Sequence, residues 1–121
     1  MLLLRLAEPD FPRAQARILE RDVAQVHVHT HVFAQQFPVL DADGKPNRFL
    51  FAARERGIIF DLGHGAGSFW FRNAVPAFRD GFYPDSISTD FHMGNVNGPV
   101  VSMLHTMSKY LAMGMPLEEV I

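Results

Sequence analysis

Apolar and polar positions follow two different periods along the chain. Over residues 23–33 the apolar side chains recur at every second position and many are β-branched, a pattern typical of a strand. The apolar run 58–62 and the short segment 86–90 predict two further strands. Helical spacing, bounded by proline, glycine or capping residues, predicts helices over residues 12–21, 48–56, 69–80, 99–113 and from 116 onward.

Helices and strands therefore alternate, and this order favours parallel strands joined by helical crossovers. The gaps between the ends of successive predicted strands are each close to the ~30 residues of one βαβ unit. An eight-stranded parallel barrel takes ~250 residues, so three such units make up less than half of one. The last predicted helix begins near the end of the chain and has no stop signal, so we expect the chain to end inside an element.

Length and charge limit the class of protein. With 121 residues the chain suits one domain, and its 48% apolar and 20% charged residues are typical of a globular fold. The net charge of −2 gives no general attraction to nucleic acid or to anionic lipid, so we expect neither as a partner.

The chain contains no cysteine, which excludes disulfides, thiolate metal sites and cysteine nucleophiles. Its apolar opening, residues 1–4, is too short for a membrane span and lacks the features of a signal peptide. We therefore expect a cytoplasmic protein.

Polar side chains collect where each predicted strand ends. In parallel α/β folds the carboxyl ends of the strands form the edge at which ligands and catalytic groups lie. The clustering of these residues therefore carries more information than any one of them. They are His29 and His31 at the first strand, Asp61 and His64 at the second, and Asp90 and His92 at the third.

Three alternating histidines, His27, His29 and His31, are expected on one face of the first strand. Imidazole is a common ligand of zinc, so the last histidine, at the strand tip, is a candidate metal ligand. The alternative is that these histidines are core or rim residues bonded to backbone carbonyls.

Two aspartates lie in or beside apolar strands, where a carboxylate needs a partner. Asp90 is a candidate metal ligand and general base for a bound water, or else a helix or turn cap. Asp61 either accepts a hydrogen bond from a histidine or, as we think better supported, caps the glycine turn that follows it.

That turn, residues 63–68, joins a strand to a helix. It is neither a dinucleotide-binding fingerprint nor a phosphate-binding P-loop. One interpretation is that His64 and the backbone N–H groups beside it, including that of Gly65, face an anionic or carbonyl substrate. The other is a sharp turn that only needs glycine dihedrals.

From about residue 23 to residue 121 the chain resembles the amidohydrolase superfamily, and more narrowly the dihydroorotase-like amidohydrolase/deacetylase metallohydrolases. Each motif alone is weak, and their order and spacing make the resemblance specific. The matching motifs are THVF (30–33), LDADGK (40–45), ARERG (53–57), FDLGHGAGSF (60–69), GFYPD (81–85), STDFH (88–92) and TMSKYLAMGMPLEEVI (106–121).

The resemblance implies part of a TIM-type (β/α)8 barrel, with about three βα units that correspond to strands six to eight. It implies zinc or another divalent metal, one or two ions in the complete site, that activates a water to cleave a C–N amide or related bond. By this alignment His31 is similar to the sixth-strand metal ligand, and Asp90 to the eighth-strand aspartate that binds metal and moves the proton. The expected substrate-binding residues are His64, Gly65 and His92.

The family's first His-x-His, its bridging lysine and its fifth-strand histidine have no counterpart here, and residues 1–22 match poorly. We therefore expect a single fragment, residues 1–121, whose family-like part is 23–121 and which binds metal weakly on its own. Its expected partners are a small amide-type substrate and either the missing N-terminal barrel half or a second copy. Two alternatives remain: an inactive, self-associating or partner-docking module, and a small anion-binding module.

Overall fold

Two short parallel strands and four helices form the secondary structure of residues 28–121, the part of the chain that this computed structural model describes. The predicted helix 12–21, the first residues of the predicted strand 23–33 and His27 lie outside these residues. In chain order the elements are β1 (Val28–His29), α1 (Arg48–Glu55), β2 (Ile59–Phe60), α2 (Phe71–Arg79), α3 (Met103–Ala112) and α4 (Leu117–Val120).

The two strands pair in parallel, with Val28 opposite Ile59 and His29 opposite Phe60. The predicted third strand, 86–90, adds a parallel bridge between Asp61 and Ser86 instead of a full strand. Backbone bonds continue this register past the bridge, because the N–H of residue 64 donates to the carbonyl of residue 88 at 2.9 Å. Three parallel segments therefore lie side by side, and the predicted α/β class is confirmed.

The first strand is much shorter than predicted, and its end has a local cause. Residues 23–33 were expected to continue as one strand, whereas β1 stops at His29. His31 has a φ of 58°, which is incompatible with an extended ladder. The two-residue alternation therefore breaks before His31, and His29 and His31 do not share a strand face.

One face of the sheet packs against the helices through phenylalanine rings. Phe60 of β2 is fully buried, and its ring meets Phe82 at a centroid distance of 5.7 Å. Phe33 packs edge-to-face against Phe78 of α2 at 5.3 Å and 84°. Edge-to-face contacts are a favourable geometry for aromatic pairs. His29 lies on this same face, with its ring 4.4 Å from that of Phe37, so it belongs to the core side of the sheet.

The opposite face of the sheet is open among the described residues. Val28 and Ile59, which are register partners, are 55% and 44% exposed, whereas their neighbour Phe60 is completely buried. Because strand side chains alternate between faces, these two apolar residues point away from the helices. We call this open face, defined by Val28 and Ile59, the bare sheet face.

Helix starts and caps depart from the sequence expectations in three places. The helix predicted over 69–80 begins at Phe71, because Trp70 is still extended. Asn47 precedes α1 as predicted, but its side chain makes no capping bond and instead donates to the Pro38 carbonyl. The helix predicted from Pro99 begins at residue 103, because Ser102 caps it and accepts the backbone N–H of His105 at 3.1 Å. Within residues 28–121 no helix is long and apolar enough to cross a bilayer.

Candidate metal and active site

Two of the predicted site residues come together at the carboxyl edge of the sheet. His31 follows β1 and Asp90 follows the third parallel segment. The Nε2 atom of His31 lies 3.9 Å from an oxygen of the Asp90 carboxylate, and the two side chains are 36% and 48% exposed. A nitrogen and an oxygen at this separation, both reached by solvent, can face the same small ligand.

The His31 ring is held in one tautomer by the glycine turn that follows β2. Its Nδ1 lies 2.7 Å from the carbonyl oxygen of Gly63, which can only accept, so Nδ1 carries the proton. The lone pair of a neutral ring is then on Nε2, the atom that faces Asp90. A side chain at residue 63 would disturb this bond, since a Cβ there would lie 2.7 Å from Nδ1.

His31 and Asp90 also share an unusual backbone conformation. Their φ angles are 58° and 47°, in the left-handed region that non-glycine residues rarely adopt. In residues 28–121, Val101 is the one other non-glycine residue with positive φ. Such conformations persist only where the surroundings hold them, and they cluster at functional sites.

Asp61 links the three strand ends in a way that the sequence did not indicate. One carboxylate oxygen accepts hydrogen bonds from Thr30 Oγ1 and Ser88 Oγ, each at 2.6 Å, and the other accepts from Ser86 Oγ at 2.7 Å. The carboxylate therefore binds hydroxyl groups from both neighbouring segments. These contacts differ from both predicted roles, a histidine partner and a cap of the glycine turn.

His64, a predicted substrate-binding residue, has both ring nitrogens bonded inside the protein. Its Nδ1 donates to the Gly65 carbonyl at 2.7 Å, and its Nε2 accepts from Lys109 Nζ at 2.7 Å. Lys109 also donates to the Pro99 carbonyl at 3.1 Å. Burial is the main cause that lowers the pKa of both His64 and Lys109. The ring is 2% exposed and stacks on Phe69 at 4.8 Å.

The other two predicted substrate-binding residues lie against Asp90. A Cβ at Gly65 would lie 2.9 Å from the Asp90 carboxylate, so this position requires glycine. His92 is exposed, and its Nδ1 lies 2.7 Å from the Asp90 carbonyl. Asn95, which sequence reasoning missed, is fully buried and donates to the same carbonyl at 2.7 Å. The signal for it was weak, because Asn95 stands in a turn-rich segment where asparagine is ordinary.

A surface depression of about 380 Å³ is lined by neither His31 nor Asp90. Its walls come from the second half of the glycine turn and the start of α2. Arg72, which lies over the Trp70 ring at 5.8 Å, supplies the positive charge there. The paired imidazole and carboxylate of His31 and Asp90 therefore lie outside the lining of this depression. Its lining residues are Ala66, Gly67, Phe69, Trp70, Phe71 and Arg72.

Comparison with known proteins places these motifs among hydrolytic enzymes. A deacetylase of Enterococcus faecalis is 40% identical over 97 residues, which are 78% of this chain and 26% of that protein. A deacetylase of Brucella anthropi is 49% identical over 65 residues, or 54% of this chain and 16% of that protein. No protein-family model matches the chain.

Two crystal structures show the same relationship. An adenine deaminase has a TM-score of 0.71 at 37% identity and covers 84% of this chain. A dihydroorotase has a TM-score of 0.62 at 40% identity and covers 77%. The resemblance to the amidohydrolase superfamily is confirmed. The chain spans only 29% and 26% of these two structures, and about a quarter of the first deacetylase.

The residues of this amidohydrolase-like chain fit a divalent metal as a partial ligand set. A neutral imidazole with its lone pair on Nε2 and a carboxylate nearby are both ligands that zinc accepts. Among residues 28–121 no group of three or more histidine, aspartate or glutamate side chains has the geometry to hold a metal ion. The described residues therefore offer two candidate ligands, His31 and Asp90, and not a complete site.

Proposed function

We propose that this chain supplies part of the active site of a metal-dependent hydrolase of the amidohydrolase/deacetylase type. The observation that carries this proposal is the approach of His31 Nε2 to Asp90, 3.9 Å apart, with the His31 lone pair fixed toward the carboxylate. The printed functions of the relatives, deacetylase, adenine deaminase and dihydroorotase, support hydrolysis at carbon–nitrogen bonds.

In this proposal His31 and Asp90 hold a divalent ion, with zinc as the first choice. When bound, such an ion activates water for attack on a carbonyl carbon. Asp90 would accept the proton that the attacking water loses and return it to the leaving nitrogen, because a carboxylate can act first as a general base and then, once protonated, as a general acid. The Nδ1–H bond to Gly63 keeps the His31 lone pair available through these steps.

A small amide-type substrate would lie on the exposed side of Asp90. His92 is the exposed group next to Asp90 that can bond a polar part of the substrate, and Gly65 leaves room beside the carboxylate. The His64 ring is bonded to Lys109, so its proposed contribution is to fix the Gly65 turn at the substrate end of the site.

We also propose that the three parallel segments correspond to strands six to eight of a (β/α)8 barrel. The support is that relatives about three times as long match over most of this chain, and that Val28 and Ile59 of one sheet face are exposed among residues 28–121. In a closed barrel that face points inward. The missing N-terminal half, or a second copy, would then cover Val28 and Ile59. The lack of cysteine supports a cytoplasmic location.

A second candidate function follows from the bare sheet face. Exposed apolar residues beside unpaired strand edges favour association. A catalytically incomplete chain would then act as a module that pairs with itself or with a partner. Such a chain would be metal-free and oligomeric in solution, and light scattering of the purified protein would detect the oligomer.

The test is the metal content of the purified chain, measured by elemental mass spectrometry after zinc loading, before and after a chelator. We expect about one zinc per chain, held weakly because two protein ligands are fewer than the usual three or four. His31→Ala and Asp90→Asn should abolish the bound zinc. His105→Ala, an exposed histidine of α3, is the matched control and should leave it unchanged. Equal zinc in all four proteins would refute the proposed site.

A further inference from the structure

The carboxylate of Asp61 is a buried, multiply bonded group at the carboxyl edge of the sheet. The residue is 8% exposed, and its two oxygens together accept hydrogen bonds from three hydroxyl groups at 2.6, 2.6 and 2.7 Å. Hydrogen bonds to a charged acceptor are shorter and stronger than bonds between neutral groups. A buried carboxylate with this many donors has a defined position.

Two of the three hydroxyl groups belong to neighbours of the candidate metal ligands. Thr30 immediately precedes His31, and Ser88 lies two residues before Asp90. Both bond the same oxygen of Asp61, Oδ2. The third donor, Ser86, bonds the other oxygen and lies four residues before Asp90. Asp61 Oδ2 therefore joins the two segments that end in His31 and Asp90.

This link lies next to the two residues whose backbone most needs support. His31 and Asp90 both have positive φ, a conformation that non-glycine residues keep only where surrounding contacts hold it. The Gly63 carbonyl holds the His31 ring, and Asn95 holds the Asp90 carbonyl. These contacts do not tie the two segments to each other, whereas the shared carboxylate oxygen does.

We propose that Asp61 is a positioning residue, which sets the separation of His31 and Asp90 through Thr30 and Ser88. This inference rests on the metal site proposed above. If Asp61 only stabilised the sheet, the loss of any one of the three hydroxyl bonds would have the same effect on zinc binding. If Asp61 positions the site, the loss of either bond to Oδ2 should weaken zinc binding. The loss of the bond to Oδ1 should mainly lower the stability of the fold.

The experiment deletes one hydroxyl at a time in the purified chain. Thr30→Val and Ser88→Ala each remove a bond to Oδ2, and Ser86→Ala is the matched control that removes the bond to Oδ1. We expect the zinc dissociation constant, measured by calorimetric titration, to rise about tenfold in the first two variants, as for outer-shell partners of metal ligands. In Ser86→Ala it should change less than about twofold. Thr30→Ser keeps the hydroxyl and should restore zinc affinity.

Stability is measured on the same four variants by urea denaturation without metal. Equal losses of zinc affinity in all three deletion variants, in proportion to their losses of stability, would overturn the proposal. A Thr30→Ser variant that binds zinc as weakly as Thr30→Val would also overturn it, because the hydroxyl would then have no part in the site.

A second readout needs no metal and separates this inference from the proposed function. Nitrogen-15 NMR of the metal-free chain reports the tautomer of the His31 ring. We expect the Nδ1–H form in the wild type and in Ser86→Ala, and a mixture of tautomers in Thr30→Val, because His31 would then move relative to the Gly63 carbonyl. If the wild type binds no zinc but shows this response, the metal site fails and the positioning role stands. An unchanged tautomer in Thr30→Val contradicts the positioning role.

Discussion

His31 and His64 follow neighbouring parallel segments, and their rings make the same first bond. Each donates Nδ1–H to a backbone carbonyl at 2.7 Å, Gly63 for His31 and Gly65 for His64. Both rings therefore present an Nε2 lone pair. The difference is what that atom meets: an exposed carboxylate at 3.9 Å for His31, and a lysine ammonium at 2.7 Å for His64.

A histidine at the carboxyl edge of the sheet is therefore not available as a metal ligand by its position alone. His64 is 2% exposed and stacks on Phe69, whereas about a third of the His31 side chain meets solvent. Lys109 occupies the one ring atom of His64 that could bind a metal. His64 is therefore part of the packed interior, and His31 remains open to a ligand.

The largest expected effect is a difference in the free energy of unfolding between variants of the two histidines. His64→Ala removes a buried ring and leaves Lys109 without its imidazole acceptor, so the free energy of unfolding should fall by about 3 kcal/mol. His31→Ala removes a partly exposed ring and should cost less than about 1 kcal/mol. Urea denaturation of the two metal-free variants measures both values.

The wild type in the same buffer is the control for that pair. Similar losses in the two variants would mean that His31 is as much a part of the packed interior as His64. The division between a structural and a ligand histidine would then fail.

Sequence reasoning identified the three segments of the sheet and most of the polar residues that follow them, although it placed the end of the first strand too late. The periodicity of residues 58–62 and the glycines after residues 56 and 80 were sufficient for β2 and for the ends of α1 and α2. His31 and Asp90 followed from their place after apolar segments and from the family motifs. These are local signals, which depend only on neighbours along the chain.

The contacts that distinguish His31 from His64 were not predictable in the same way. Lys109 meets His64 across 45 residues of sequence, through the packing of α3 against the glycine turn. Asp61 meets Thr30 across 31 residues. The positive φ of His31 also ended a strand that its alternating pattern extended to residue 33. Each depends on the three-dimensional arrangement of distant segments, for which one sequence gives no local signal.

A smaller effect concerns pH. Burial lowers the pKa of His64, with Lys109 and His105 adding to it, and burial together with His31 lowers the pKa of His29. At a pH near 6.5, the ordinary histidine pKa, both rings therefore stay neutral in the folded chain, whereas the same rings bind protons in the unfolded chain. The free energy of unfolding should accordingly fall as the pH decreases through 6.5.

Urea denaturation between about pH 7.5 and pH 5.5, where histidine titrates, measures this slope. His64→Gln should make the slope shallower, and His105→Ala, which removes only the smallest of the causes that act on the pKa of His64, should change the slope less. A His64→Gln slope equal to that of the wild type would show that the His64 ring does not resist protonation in the folded state.

The smallest expected effect tests whether the surroundings of His64 depend on packing or on hydrogen bonds. The Tyr110 ring lies 6.3 Å from that of His64, and its hydroxyl is the one buried side-chain polar atom in residues 28–121 without a hydrogen-bond partner. Burial, with the Asp61 carboxylate nearby, raises the pKa of Tyr110 far above its usual range, so the hydroxyl remains neutral. An unpaired buried hydroxyl costs stability, so Tyr110→Phe should raise the free energy of unfolding by up to about 1 kcal/mol.

Thr106 is the matched control for that variant, because it lies on the same helix, is fully buried and bonds the Ser102 carbonyl at 2.9 Å. Thr106→Val should lower the free energy of unfolding by about 1 kcal/mol, the ordinary value of one satisfied bond. Opposite signs for the two variants would show that packing, and not a complete set of hydrogen bonds, stabilises the region around His64. A loss in Tyr110→Phe as large as that in Thr106→Val would show that the Tyr110 hydroxyl has a partner in solution, and His64 would then lie in a polar network that reaches toward Asp61.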